Sequence, residues 1–290
     1  LDYRLGDKIK ELRNHLNISQ KELSQDICTQ ALISKIESNQ TYPSAPVLFE
    51  ISQRLGVDLN YFFSITETPG LDYVEEVSHT MERLMREIEY EEVLRIVNLE
   101  KENPLFRHTQ LKSLLLWREG ICQYHLNRDS RKALDLLDQA IDLLPTTYKN
   151  LSEREIDILA SKAIIFSLDN QLNEANQIYK ELLTKLRTPY FKNNRLLVRI
   201  LFNASKNSYQ RGDYKESINR TDHGIRVCIK SELLYLLGEL YYQKGKSLYC
   251  LDPDHKEKAV SYMEEAIWIF SKTNNNKFLH YVRHEISTIQ

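Results

Sequence analysis

The chain has 290 residues, enough for two domains, and its 42% hydrophobic and 28% charged content is that of an ordinary globular protein. A net charge of −2 excludes a protein that holds nucleic acid by bulk charge alone. No apolar run approaches the roughly 18 residues of a membrane span, and the charged first ten residues hold no signal-peptide core.

Eight glycines and seven prolines in such a length favour helices with short connections. The first predicted helix runs from Tyr3 to Leu16, with Leu5, Ile9, Leu12 and Leu16 on one face. Ser19 caps the second, and Glu22 three residues on completes a capping box; Leu23 and Ile27 face the core. Thr29 caps the third, which carries Leu32, Ile33 and Ile36. The very short turn Ile27-Cys28-Thr29 forces the two helices to cross steeply, as in a helix-turn-helix.

A fourth helix follows Tyr42-Pro43-Ser44, contributes Val47, Leu48, Ile51 and Leu55, and stops at Gly56. A fifth starts at Asp58 with Leu59, Tyr61, Phe62 and Phe63. None of the five is long enough to be stable alone, so they close one core together. Thr66-Glu67-Thr68-Pro69-Gly70 then breaks the pattern. The expected organisation is a DNA-binding domain over 1–65, a linker over 66–71, and a second domain over 72–290.

Beyond the break, segments 131–137, 173–179, 215–221 and 257–263 align with one another. Ala133, Ala175, Ser217 and Ala259 recur every 42 positions, and Ala140, Leu182, Gly224 and Ala266 follow seven residues later on the same helix face. Each such helix is preceded by another amphipathic one: Leu111–His125, Ile156–Leu168, Leu196–Gln210 and Leu234–Tyr249. A weaker first copy fits Leu71–Ile88 and Glu91–Leu99, with Val93 at the small-residue position. A last helix, Phe278–Ile289, reads as a cap.

Two resemblances follow from these residues. The strings from Ile18 to Ser24 and from Ile33 to Ser38, with Tyr42-Pro43-Ser44, resemble the phage-repressor-type (Cro/C1, or Xre) helix-turn-helix over residues 5 to 63. In that family the third helix enters the major groove, which places Thr29, Gln30, Ala31, Ser34 and Lys35 at the DNA. Gln30 suits an adenine edge, Lys35 a guanine or phosphate, and Ala31 a thymine methyl. Gln20 is expected at a phosphate, with Asn39, Thr41 and Ser44 along the backbone. Glu37 is expected to be a structural partner. Residues 1–65 hold seven Lys/Arg against eight Asp/Glu, so the head is not basic and is expected to work as one of a pair.

The repeating segments resemble the tetratricopeptide repeat with a lengthened period. The implied fold is all-α: a five-helix head followed by a right-handed superhelix of about five tetratricopeptide-like pairs and a C-terminal capping helix. First helices of such pairs line the concave side, which nominates Trp117, Tyr124, Lys162, Arg199, Phe202, Asn203, Lys206, Tyr209, Tyr242, Lys246 and Tyr249. Asn offers a donor and an acceptor to a peptide backbone, and Lys or Arg suits a carboxylate. The expected peptide contacts are Lys162, Arg199, Asn203, Lys206, Tyr209, Tyr242, Lys246 and Tyr249.

Head and array together resemble the peptide-pheromone-responsive regulators of Gram-positive bacteria, the PlcR-like branch in particular. Ile27-Cys28, Ile36-Glu37-Ser38, Tyr42-Pro43-Ser44 and Asn203 sit where that branch has comparable residues. The resemblance implies a cytoplasmic homodimer that binds a double-stranded DNA operator under control of a short signalling peptide. Two rival readings keep the array for a protein partner, or only for dimerising a constitutive repressor. No GxGxxG, P-loop or GxSxG is present, the eight histidines form no metal motif, and four scattered cysteines read as free thiols; no enzyme activity, cofactor or metal is expected.

Overall fold

Ser19 and Glu22 form the reciprocal cap that their spacing predicts: the Glu22 amide donates to Ser19 Oγ at 3.2 Å, and the Ser19 amide donates to Glu22 Oε2 at 2.6 Å. Thr29 Oγ1 likewise accepts from the Leu32 amide at 3.2 Å. These caps start α2 (Gln20–Ser24) and α3 (Gln30–Glu37), which follow α1 (Leu5–His15) and precede α4 (Ala45–Leu55). The chain is seen in a computed structural model that describes residues 5–62, 71–145, 151–187 and 191–289. Phe63 and linker residues 66–70 lie outside the described residues. No strand occurs among the described residues. The chain divides into two compact units, Leu1–Thr80 and Met81–Gln290.

In the first unit, α2 is shorter than the sequence suggests. It stops at Ser24, whose hydroxyl bonds back to the Lys21 carbonyl, and Asp26 adopts φ 60. Asp tolerates this left-handed conformation better than most residues, so the turn widens without a glycine. The fifth segment is a single 3-10 turn, Leu59–Phe62. The core is Leu5, Ile9, Leu23, Ile33, Ile36, Leu48, Ile51, Leu55 and Phe62. Gly6 lets α1 cross α3 at backbone distance, because a Cβ there would stand 1.9 Å from the Ile36 carbonyl oxygen.

A polar fastening locks α3 from behind. Arg13 on α1 donates to both Glu37 oxygens, at 2.6 and 3.0 Å, and to the Ile18 carbonyl at 2.8 Å. Gln20 donates to the same carboxylate at 2.8 Å. Burial would push the Glu37 carboxyl up, but the hydrogen bonds from Arg13 and Gln20, with the positive charge of Arg13 and Lys10, hold it below its ordinary value.

The second helical series comprises α5 (Leu71–Glu87), α6 (Tyr90–Glu100), α7 (Thr109–Asn127), α8 (Ser130–Asp142), α9 (Glu153–Leu168), α10 (Leu172–Lys185), α11 (Asn194–Gln210), α12 (Tyr214–Lys230), α13 (Leu237–Leu251), α14 (Lys256–Lys272) and α15 (Asn276–Ile289). The boundary between the two units falls within α5. Helices pair as α7 with α8, α9 with α10, α11 with α12 and α13 with α14; α6 packs on α7, and α15 closes on α14. Ala133, Ala175, Ser217 and Ala259 are fully buried, as are Ala140 and Ala266. At those positions helices touch backbone to backbone: a Cβ on Gly120 would lie 3.0 Å from the Ala133 carbonyl oxygen, and one on Gly245 would lie 2.6 Å from that of Ala259. Among the described residues no helix is long and apolar enough to cross a membrane.

Two stability predictions follow. Gly245→Ala should lower stability by about 1–3 kcal/mol, read as a reduced denaturant midpoint, because the new methyl meets backbone and the Met263 side chain. Glu37→Gln should weaken amide-exchange protection of α1 and α3 at neutral pH. Glu37 titrates below its ordinary value of 4.5, so its contribution is complete above that value and lost as pH falls through the lower folded one. The difference between parent and variant should therefore shrink on acidification, and a difference independent of pH would count against the charged fastening.

Candidate DNA-reading helix and ligand cavity

In the first unit the pattern of α3 decides what it can present. Ile33 and Ile36 are buried and Glu37 is held by Arg13, so the remaining face is turned outward. Gln30, Ala31, Ser34 and Lys35 are all exposed on it, with Thr29 exposed at its start. This combines an amide, a methyl, a hydroxyl and an ammonium on one rigid helix, the chemistry that distinguishes base edges in a major groove. Ser44 is exposed, and its hydroxyl makes no capping bond. Thr41 is half-buried.

Two of the nominated residues are already occupied. Gln20 spends its amide on Glu37. Asn39, at φ 56, accepts from the Gly6 amide at 3.0 Å and donates to Asp7 at 2.9 Å, tying the end of α3 to α1. Their side chains therefore tie α3 to α1 and α2. Glu37 is the structural partner it was expected to be.

In the second unit the first helices of successive pairs, α7, α9, α11 and α13, meet one another more closely than the second helices do. That asymmetry defines the inner side of a curved stack. Several of the nominated inner-face residues fall into two groups there. Lys206, Tyr209, Tyr242 and Lys246 form one cluster: Lys246 lies 5.1 Å from the Tyr209 ring centroid and 3.5 Å from the Tyr242 hydroxyl. Lys206 is water-accessible, yet the protein around it and the charge of Lys246 together lower its pKa, as expected on a concave wall. The cluster is tied to the last helix, since Tyr242 donates to Glu285, and Lys246 lies 3.5 Å from the same carboxylate. Tyr209 shares a hydrogen bond with Cys250 at 3.3 Å. Tyr249 is half-buried nearby in sequence.

The other group surrounds a cavity of about 420 Å³. Arg199 lines it, paired with Asp157, and Asn203 one turn on donates to the Arg199 carbonyl at 2.9 Å. Trp117 forms one wall, and its indole N–H donates to Ser161 at 2.9 Å. Lys162 points elsewhere, to Asp138. Tyr124 is buried against its own repeat, and Phe202 lies 5.5 Å from the Lys206 ammonium.

Sequence reasoning missed most of the cavity. Glu82, Arg86, Tyr90, Arg118, Ile121, His125, Asp157, Ile164, Arg195 and Tyr235 also line it. Burial pushes the Asp157 carboxyl up against the pull of Arg199, Arg118 and Arg154. His125, stacked on Tyr90 at 4.2 Å, is held below its ordinary pKa by burial and by Arg128. One signal was available: Asp157 is 42 residues before Arg199, and Ser161 is 42 before Asn203, the period of the repeats. Arg118 carried no such signal. All four cysteines are free, and among the described residues no cluster of His, Cys, Asp or Glu is arranged to hold a metal.

The chain matches the model of the RNPP family C-terminal domain over residues 78–285 and a helix-turn-helix model over residues 9–62. Its fold is similar to that of Bacillus thuringiensis PlcR in complex with the peptide PapR7 and DNA, with a TM-score of 0.80, 23% identity, and coverage of 96% of this chain and 98% of that one. It is also similar to the SHP pheromone receptor Rgg2 of Streptococcus dysgalactiae, with TM-score 0.67, 14% identity, and 98% and 99% coverage. A third similar fold is ComR from S. thermophilus in complex with DNA and its signalling peptide ComS, with TM-score 0.66, 15% identity, and 98% and 99% coverage. No curated protein sequence matches. Family and fold are those of transcription regulators, not enzymes. Because the family model spans well over half of the sequence, the chain belongs to the RNPP family.

Proposed function

We propose that the chain is a cytoplasmic, homodimeric, sequence-specific transcription regulator whose binding to a double-stranded operator is controlled by a short signalling peptide. In this reading residues 1–65 act on DNA, 66–71 connect, and 72–290 bind the peptide and dimerise. The observation that carries it is the exposed polar face of α3, on a helix fastened from behind by Arg13 and Glu37. Thr29, Gln30, Ala31, Ser34 and Lys35 would read the groove, with Ser44 and Thr41 at the backbone. Gln20 and Asn39 would contribute by holding that helix in place.

The peptide would lie along α9, α11 and α13, against Arg199, Asn203, Lys206, Tyr209, Tyr242, Lys246 and Tyr249, with Lys162 at the rim. The similar PlcR and ComR structures, each solved with DNA and a peptide, support this reading. Peptide and operator affinities must then be coupled reciprocally, since a ligand shifts a two-state protein only through its differential affinity for the states.

Selection from random duplex DNA should yield an enriched site with two related half-sites; no enrichment would sink the proposal. On that site Gln30→Ala should cost about 1–3 kcal/mol and relax preference at one base position. Lys35→Ala should weaken all sequences alike and reduce the salt slope by about one if it meets a phosphate.

A further inference from the structure

The cavity beside Trp117 has more positive charge than it can use. Four guanidinium groups line it, those of Arg86, Arg118, Arg195 and Arg199, against the two carboxylates of Glu82 and Asp157. Two buried nitrogens of cavity-lining residues, Arg118 Nε and Arg199 Nε, lack a hydrogen-bond partner among the described residues.

Arg118 is the more demanding of the two. It is 8% exposed, sits over the Trp117 ring at 4.0 Å from its centroid, and makes no hydrogen bond to any described residue. Burial lowers its pKa to about 10, with Glu82 and Asp157 favouring the charged form from a distance, so it remains a cation at neutral pH. A buried, unpaired guanidinium is costly, and native interiors rarely keep one without a use.

The shape of the deficit points to the missing group. A guanidinium presents parallel N–H donors that match a carboxylate. Ile121, Ile164 and Ile165 form an apolar wall, suited to the carbon attached to such a group. About 420 Å³ accommodates one or two side chains rather than a whole peptide. One added negative charge halves the excess of the lining, while Asp157 stays in place to repel a more highly charged anion.

We propose that this cavity is a subsite for a carboxylate of the bound peptide, either its C-terminus or an Asp or Glu side chain, gripped by Arg118 and by the free Nε–H of Arg199. The proposal rests on the peptide-binding reading above, and it assigns to Arg118 a specificity role in that binding.

The test is affinity selection on the full-length protein, using a random heptapeptide library made half as free acids and half as C-terminal amides. Peptides retained by the parent should be enriched about tenfold or more in one carboxylate source. Enrichment of free acids over amides identifies the C-terminus; enrichment of Asp or Glu at a fixed position in both halves identifies a side chain. Arg118→Gln, confirmed folded by circular dichroism, should still retain peptides but lose the enrichment, whereas Arg118→Lys should keep part of it. Retention by the parent without acid enrichment, or equal enrichment by Arg118→Gln, overturns the subsite and leaves the peptide reading standing. No retention of any peptide overturns both.

Discussion

At Ala133, Ala175, Ser217 and Ala259 the second helix of each pair has almost no side chain to hold its neighbour away. The consequence is visible at Gly120 and Gly245, where an added methyl would meet the carbonyl oxygens of Ala133 and Ala259, and at Ser217, whose hydroxyl donates to the Ser205 carbonyl at 2.9 Å across the same junction. Contact at backbone distance fixes how two helices cross, because there is no flexible side chain to absorb a change. Repeated every 42 residues, the same junction gives each pair a similar internal crossing. The face that each first helix turns to the inner side of the stack follows from that crossing.

This dependence explains which parts of the molecule were legible in the sequence. Period and capping are local signals, so the helices from α1 to α4, the four small-residue positions and the closing helix could be read directly. The end of α2 could not, because Asp26 takes a left-handed conformation that a glycine would have advertised and an aspartate does not. The exposed face of α3 was legible because burying Ile33 and Ile36 forces Gln30, Ser34 and Lys35 to the other side. The division of labour around it was not. Nothing in the spacing says that Gln20 and Asn39 spend their amides on Glu37, Gly6 and Asp7.

The cavity beside Trp117 lay further out of reach, for a different reason. Its walls come from helices tens of residues apart, so its composition depends on the inter-repeat step rather than on any one helix. Where two members share a repeat register, as Asp157 and Arg199 do, the period alone brings them together. Arg118 has no such counterpart: the position 42 residues on is Ala160, which is buried. What sets it apart shows only once burial and the lack of a hydrogen-bond partner for its Nε among the described residues are seen together. A charged residue on an amphipathic helix reads as solvated until its surroundings are known.

The inner-side cations also differ in a way that bears on how a ligand can be felt. Lys162, Arg199 and Lys246 are each matched to an acid on another helix: Asp138, Asp157 and Glu285. An anionic ligand approaching these must compete with a partner already present, and any exchange alters how two helices are tied. Lys246 is the sharper case, because its acid belongs to the closing helix and also accepts from Tyr242. Arg118 has no hydrogen-bonded acid to displace among the described residues, so binding there would supply affinity without breaking a link. A groove with both kinds of site would separate holding a peptide from responding to it. An exchange of partners at such pairs would differ between two arrangements of the helices, and differential free energy of that kind is what coupling to a second site requires.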